Sequence, residues 1–177
     1  IINDDPPLDY MSLESWLRRT QRKTPLGGVV LDYLQMMKGD DRTNRAKFLG
    51  DVCYLMKRSA KAGKYTTFVA SQLNRGVTSR QDPTPRMSDL RESGDIEAYA
   101  NTILLLHRDY DNPNADPTEA KIFIGKQRSG ESGIHVRLKW NGPTLTFHND
   151  GRFLTPMKNT APQPQQGGGP GKPTQPW

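Results

Sequence analysis

VVLDYLQMM, residues 29–37, is the stretch on which the fold turns. Val29, Val30 and Leu31 read as a short buried strand, and a carboxylate, Asp32, stands at its end. A charge is costly to bury unless it is paired or bound to a cation. The strand must therefore deliver Asp32 to a turn, to water or to a ligand. Taken alone the pattern is weak, because a strand-end aspartate capping a turn explains it as well as a metal-binding one.

The neighbouring periodicities give the strand a setting. Upstream, Leu13, Trp16 and Leu17 share one helical face behind Ser12, a suitable cap. Arg18, Arg19 and Arg22 follow in the last turn, and Pro25 must end the helix. Downstream, Phe48, Leu49, Val52, Cys53, Met56 and Ala60 recur at helical spacing and predict a helix over 44–62, with Gly63 as its stop. A short strand, TTFVAS, a polar loop containing Pro83 and Pro85, a short helix near 95–101 and a strand, TILLLH, come next. Helices alternating with short apolar strands predict an α/β fold with a mainly parallel sheet flanked by helices. EAKIFIGKQ, GIHVRLKW and PTLTFH then follow, separated by Gly-rich or Asn-Gly turns, which predicts antiparallel strands added near the C-terminus. From about Asn159 the chain is rich in Pro, Gly and Gln and cannot repay the entropy of ordering. The expected division is a folded domain over 1–154 and a disordered tail over 155–177.

Composition limits the function classes. With 177 residues, 33% hydrophobic and 25% charged, the chain can build one sizeable core and suits a soluble protein; no apolar run is long enough to span a bilayer. A single cysteine, Cys53, excludes a disulfide framework or a cysteine metal cluster, makes a reducing compartment the default and falls among core positions. The net charge of +6 permits an anionic partner without requiring one, since Arg152, Lys158 and Lys172 near the C-terminus supply half of it. The start, IINDDPPLDY, has neither an initiator Met nor a signal-peptide pattern.

Open parallel sheets gather ligands beyond the carboxyl ends of their strands. Asp32 lies at one such end and Ser71-Gln72 at another. An acid and an amide on adjacent strand tips can hold hydrated Mg²⁺ and sense a terminal phosphate. Lys126 and Arg128, two apart at a strand end, share a face, and Arg suits charge stabilisation of a transferring phosphoryl group. Exposed edge-strand charges that discourage aggregation are the plainer explanation of that pair. RESG, residues 91–94, joins a cation to small residues that let backbone N–H groups approach phosphate.

Four segments, VVLDYLQMM, SQLNR (71–75), SDLRESGDIEAYAN (88–101) and GKQRSGESG (125–133), resemble in order and approximate spacing the C-terminal motor domain of DnaB-type replicative DNA helicases. The resemblance covers roughly residues 1–150. It implies a RecA-like fold, a homo-hexameric ring, ATP and Mg²⁺ as cofactors, and 5′ to 3′ translocation on single-stranded DNA. It further implies primase and a helicase loader as partners, and a cytoplasmic, bacterial or phage-encoded protein. By position Asp32 resembles the Walker B aspartate, and Gln72 the residue linking nucleotide to DNA-binding elements. Lys126 and Arg128 resemble the basic pair that reaches a neighbouring subunit's nucleotide, and Arg91, Glu92 and Gly94 match the DNA-contacting loop. One departure stands out: the phosphate loop G-x-x-x-x-G-K-[ST] is absent from these residues, and Gly63-Lys64, Gly125-Lys126 and Gly171-Lys172 do not match it. The family's catalytic glutamate also lies upstream of the matched region. The chain is accordingly expected to be a C-terminal portion of a longer helicase. The alternative is a RecA-like DNA- or helicase-binding module without catalysis. A recombinase or clock-type ATPase would share the sheet and Asp32, but is not expected to combine SQLNR, DLRESG and KQRSG.

Overall fold

A computed structural model describes residues 1–4, 8–39, 44–90, 93–110, 112–150 and 155–156. The first helix, α1 (Tyr10–Lys23), is capped by Asp9, whose carboxylate accepts the Ser12 N–H at 2.7 Å. Ser12, expected as the cap, instead lies inside the first turn, because the carboxylate three residues before it claims its amide. Leu13 and Leu17 are buried, Trp16 packs beside them, and the helix ends at Thr24, ahead of Pro25.

β1 (Gly28–Leu31) pairs in parallel with β2 (Thr66–Val69). Side chains alternate across a strand, so Val29 and Leu31 enter the core while Val30 stays 71% exposed. The strand is therefore buried on one face only. Val30 lies opposite Phe68, itself 61% exposed, so the uncovered face of the pair is apolar.

Between these strands runs α2 (Arg45–Gly63), capped by Asn44, with Phe48, Leu49, Val52, Cys53, Leu55 and Met56 buried. These side chains close a core with Leu13, Leu17, Val29, Leu31 and Leu34, each large member contributing roughly 1.5–3 kcal/mol by leaving water. Burial also pushes the Cys53 thiol up to about 11, assisted by the charge of Asp95, in keeping with a packing role. The helix stops one residue later than expected: Gly63 is its last residue, and Lys64 takes the left-handed conformation (φ 56°). Gly63 serves packing instead, since a Cβ there would run into the Tyr65 ring.

A short helix, α3 (Ser93–Tyr99), slightly earlier than the expected span, leads into an antiparallel array. Its strands are β3 (Thr102–His107), β4 (Glu119–Gln127), β5 (Ile134–Asn141) and β6 (Thr146–Asn149), in the order β3-β4-β5-β6. β7 (Thr155–Pro156) also pairs with β5, so strand pairing reaches two residues into the stretch assigned to the tail. Residues 157–177 lie outside the described residues. The expected antiparallel strands are present, whereas among the described residues parallel pairing of whole strands is confined to β1 and β2, with a single parallel bridge between Asp9 and Lys38 in addition.

A second cluster, Leu90, Ile103, Leu105 and Phe123, packs against Leu73, Met87 and Ala100. α3 stands between the two cores: Ile96 is buried in the first, and Ala100, just past the helix, packs against the second. Among the described residues no helix is long and apolar enough to cross a membrane.

Candidate functional site

The tips of β1 and β2 are tied together. Leu34 donates its N–H to Ala70 O at 2.8 Å, and Ala70 donates to Leu31 O at 2.9 Å. Gln35 then bridges the two loops with its side chain: Nε2 donates to Ser71 Oγ at 3.0 Å, and Oε1 accepts the Gln72 N–H at 3.1 Å. Arg45, at the start of α2, holds the same segment from the other side by donating to Gln35 O at 2.8 Å and Met37 O at 2.7 Å. The result is a braced ledge from which Asp32 and Gln72 both face solvent. The sequence pointed to Asp32 and Gln72 as candidates but gave no sign of the brace. Gln35 stands in the quoted stretch three residues after Asp32, yet its partners are 36 and 37 residues away, which no local pattern reveals.

Asp32 is suited to a cation that keeps most of its own water. Mg²⁺ typically uses one or two carboxylates together with waters and substrate phosphates. Among the described residues no group of three or more His, Cys, Asp or Glu converges as an all-protein cage would require.

Two residues beyond Gln72 the chain meets the DNA-contact stretch suggested by the resemblance. Leu73 and Leu90 form an antiparallel bridge, and Asn74 donates its N–H to Asp89 O at 2.7 Å. Asp89 is buried and fastens this junction. Its carboxylate accepts from Arg80 Nη1 at 3.1 Å, Arg80 Nη2 at 2.7 Å and the Arg86 N–H at 2.7 Å. Asp89 and Arg80 were not singled out from the sequence, because an exposed loop ion pair and this two-pronged one look alike there. Arg91 and Glu92 lie outside the described residues. Gly94 is in the first turn of α3, with open space where a Cβ would sit.

Lys126 and Arg128 come together, but on a different element. The pairing of β3 and β4 slips between Ile103 and Leu104: Ile103 faces Lys126, while Leu104 faces Ile124. Gly125 is the extra residue, and a Cβ on it would collide with Met87. Such a bulge reverses the alternation beyond it. Lys126 therefore emerges on the face shared by Ile103, Leu105 and Phe123, where α3 lies. Lys126 Nζ donates to Glu97 O, and Arg128 Nη2 donates to Ala98 O at 3.0 Å. Among the described residues, no hydrogen bond or ion pair joins Lys126 or Arg128 to Asp32 or Gln72.

The comparisons with known proteins agree with these motifs. The model of the DnaB-like helicase C terminal domain matches residues 1–149. The replicative DNA helicase DnaC of Bacillus subtilis is 36% identical over 136 residues, covering 75% of this chain and 30% of that protein. The replicative DNA helicase DnaB of Haemophilus influenzae is 38% identical over 152 residues, 84% of this chain and 32% of its own length. Among solved structures, a DnaB-like replicative helicase described with its interactions with primase superposes with a TM-score of 0.74 at 32% identity, covering 84% of this chain and 37% of that one. A second solved structure, of an isolated ATPase domain, gives 0.71 at 31% identity, with 80% and 51% covered. The chain thus spans about a third of the curated relatives it matches, and about half of that ATPase domain.

Proposed function

Since this chain belongs to the DnaB-like helicase C terminal domain family, we propose that it forms part of the motor of a hexameric replicative helicase, one that couples ATP hydrolysis to 5′ to 3′ movement on single-stranded DNA and to duplex unwinding. The observation that carries this reading is the continuity from the strand tips to the DNA-contact stretch. Gln72 is one residue from the Leu73–Leu90 bridge, and Leu90 is one residue from Arg91. A change in what Gln72 touches would be passed through that bridge toward Arg91, Glu92 and Gly94.

The roles follow from placement. Asp32 would hold Mg²⁺, which when bound offsets the charge of the nucleotide phosphates. Gln72 would meet the terminal phosphate from the neighbouring strand tip. Lys126 and Arg128, which among the described residues make no hydrogen bond or ion pair with Asp32 or Gln72, would act on the nucleotide held by the adjacent subunit, stabilising charge as the phosphoryl group transfers. The phosphate loop would come from the part of the ATPase domain that this chain does not span. The apolar faces left open on β1, β2 and β3, marked by Val30, Phe68, Leu104 and Leu106, support that reading, since they suit cover by further chain of the same domain. Such cover would also complete a mainly parallel RecA-like sheet. Primase and a loader are proposed as partners of the whole ring.

The test uses the intact protein. Asp32→Asn should abolish ATP turnover with the fold unchanged, because the lost charge acts on the metal. Arg128→Ala should also be inactive alone. Mixed rings of the two should regain turnover, because an intact nucleotide site on an Arg128→Ala subunit can face an intact Arg128 on its neighbour. No recovery in rings shown to be mixed would remove Arg128 from its role in trans. The non-catalytic binding module, favoured by the absence of a phosphate loop from these residues, would be established instead if the intact protein bound DNA but no Mg-ATP.

A further inference from the structure

The end of α3 is a small electrostatic puzzle. The helix has seven residues, and the Ala100 N–H already occupies Ile96 O at 3.0 Å. The carbonyls of Glu97, Ala98 and Tyr99 are left with no helical donor. Each is met by a different cation. Lys126 reaches Glu97 O, Arg128 reaches Ala98 O at 3.0 Å, and Lys57 Nζ donates to Tyr99 O at 2.9 Å. Lys57 comes from the middle of α2, far from the other two in sequence. Its neighbour one turn back, Tyr54, lays its ring against Tyr99 with centroids 5.3 Å apart, so α2 grips this residue twice.

Three positive charges exceed what one helix end offsets, which is roughly half an elementary charge. Among the described residues none of the three makes an ion pair. Desolvation first, and then the charges of Arg128 and Lys126, hold the Lys57 ammonium below the usual lysine range. The cluster therefore presents net positive charge to an anion brought beside it. Of its members, Lys57 comes from α2 and ties α3 to it, whereas Lys126 and Arg128 sit at the end of β4, where the Arg128 N–H donates to Asn101 O at 3.0 Å.

We propose that Lys57 is a positioning residue for the trans-acting pair: by holding the last carbonyl of α3 against α2, it fixes the platform from which Lys126 and Arg128 reach the terminal phosphate of a nucleotide bound by the neighbouring subunit. The proposal rests on the reading that Arg128 acts in trans. Without Lys57, Tyr99 O is free to capture one of the two head groups, and the platform loses one of its ties to α2, leaving the Tyr54 ring contact and the buried Ile96 to hold it. Misplacing a catalytic group by about 1 Å can cost about 100-fold in rate.

Complementation in full-length hexamers tests it, with ring size and melting temperature measured for every variant. Lys57→Met should lower kcat by at least about tenfold while leaving KM for ATP within about twofold, and Lys57→Arg should restore most of the loss. Mixed rings of Lys57→Met and Asp32→Asn should regain turnover, because some nucleotide sites with an intact Asp32 then face an intact pair and platform. Mixed rings of Lys57→Met and Arg128→Ala should not, because both defects lie on the donating side of every interface. The opposite pattern would assign Lys57 to its own subunit's site and overturn the proposal. So would an unchanged kcat, or a lowered melting temperature with no recovery in either mixture. If Arg128→Ala and Asp32→Asn themselves fail to complement, the trans reading falls and takes this proposal with it. If they complement and Lys57→Met with Asp32→Asn does not, only the Lys57 assignment falls.

Discussion

Gly94 shows how a single residue separates what the fold needs from what a ligand needs. Its backbone is not left-handed and nothing lies within 4 Å of a Cβ built on it, so the described fold has no steric use for a glycine there. An alanine is favoured in a helix by about 1 kcal/mol. Gly94→Ala should therefore keep or raise the melting temperature. If the bare backbone exists to let a DNA phosphate come close, the same substitution should weaken binding to oligo-dT in an anisotropy titration. Lowered stability with unchanged DNA affinity would return Gly94 to the fold. The motif SDLRESG is thus divided by structure: Asp89 fastens the junction internally through Arg80, and Gly94 leaves open space beside its backbone.

At the scale of elements, α3 depends on how closely α2 lets it approach. Gly50, in the interior of α2, makes that approach possible: a Cβ on it would fall 2.5 Å from Asp95 Cβ and 2.9 Å from its Cγ. Two effects compete on replacing it with alanine. Helix propensity gains about 1 kcal/mol, whereas overpacking costs about 1–3 kcal/mol. The atom first met is a Cβ, which cannot swing aside, so the cost should win. Gly50→Ala is expected to destabilise by about 1–2 kcal/mol in urea unfolding, and Asp95→Gly in the same chain should relieve part of it. A stabilised Gly50→Ala would show that α3 shifts freely on α2. The bulge at Gly125 is the second device at this scale. It turns Lys126 onto the α3 face, and the glycine inside IFIGKQ was its only sequence trace.

For the whole chain the expectation is incapacity by itself. A ledge carrying Asp32 and Gln72, without a phosphate loop beside it, offers few of the contacts that hold a triphosphate. Calorimetric titration of these 177 residues with Mg-ATP should show no tight binding, and no hydrolysis should follow. Tight binding would sink the reading in which the remaining part of the ATPase domain completes the site. The order of elements supports that reading: a parallel pair, β1-β2, and an antiparallel array, β3-β6, stand as separate sheets with apolar faces uncovered.

The sequence by itself determined the strand ending at Asp32, the amphipathic faces of α1 and α2, the antiparallel strands and the family, because periodicity and short motifs are local properties of the chain. It also placed Asp32 and Gln72 at strand tips. Cap identity went to Asp9 rather than Ser12, and the C-cap of α2 to Lys64 rather than Gly63, since competing acceptors and the Tyr65 ring decide between nearby candidates. Only the tertiary structure decided that Gln35 ties the tips together, that Arg80 and Asp89 lock the junction, and that Lys57 joins Lys126 and Arg128 at one helix end. The physical reason is separation along the chain. A hydrogen bond spanning 30 or 42 residues depends on where two backbones come to rest, and that is settled by burial of both cores together rather than by either segment alone.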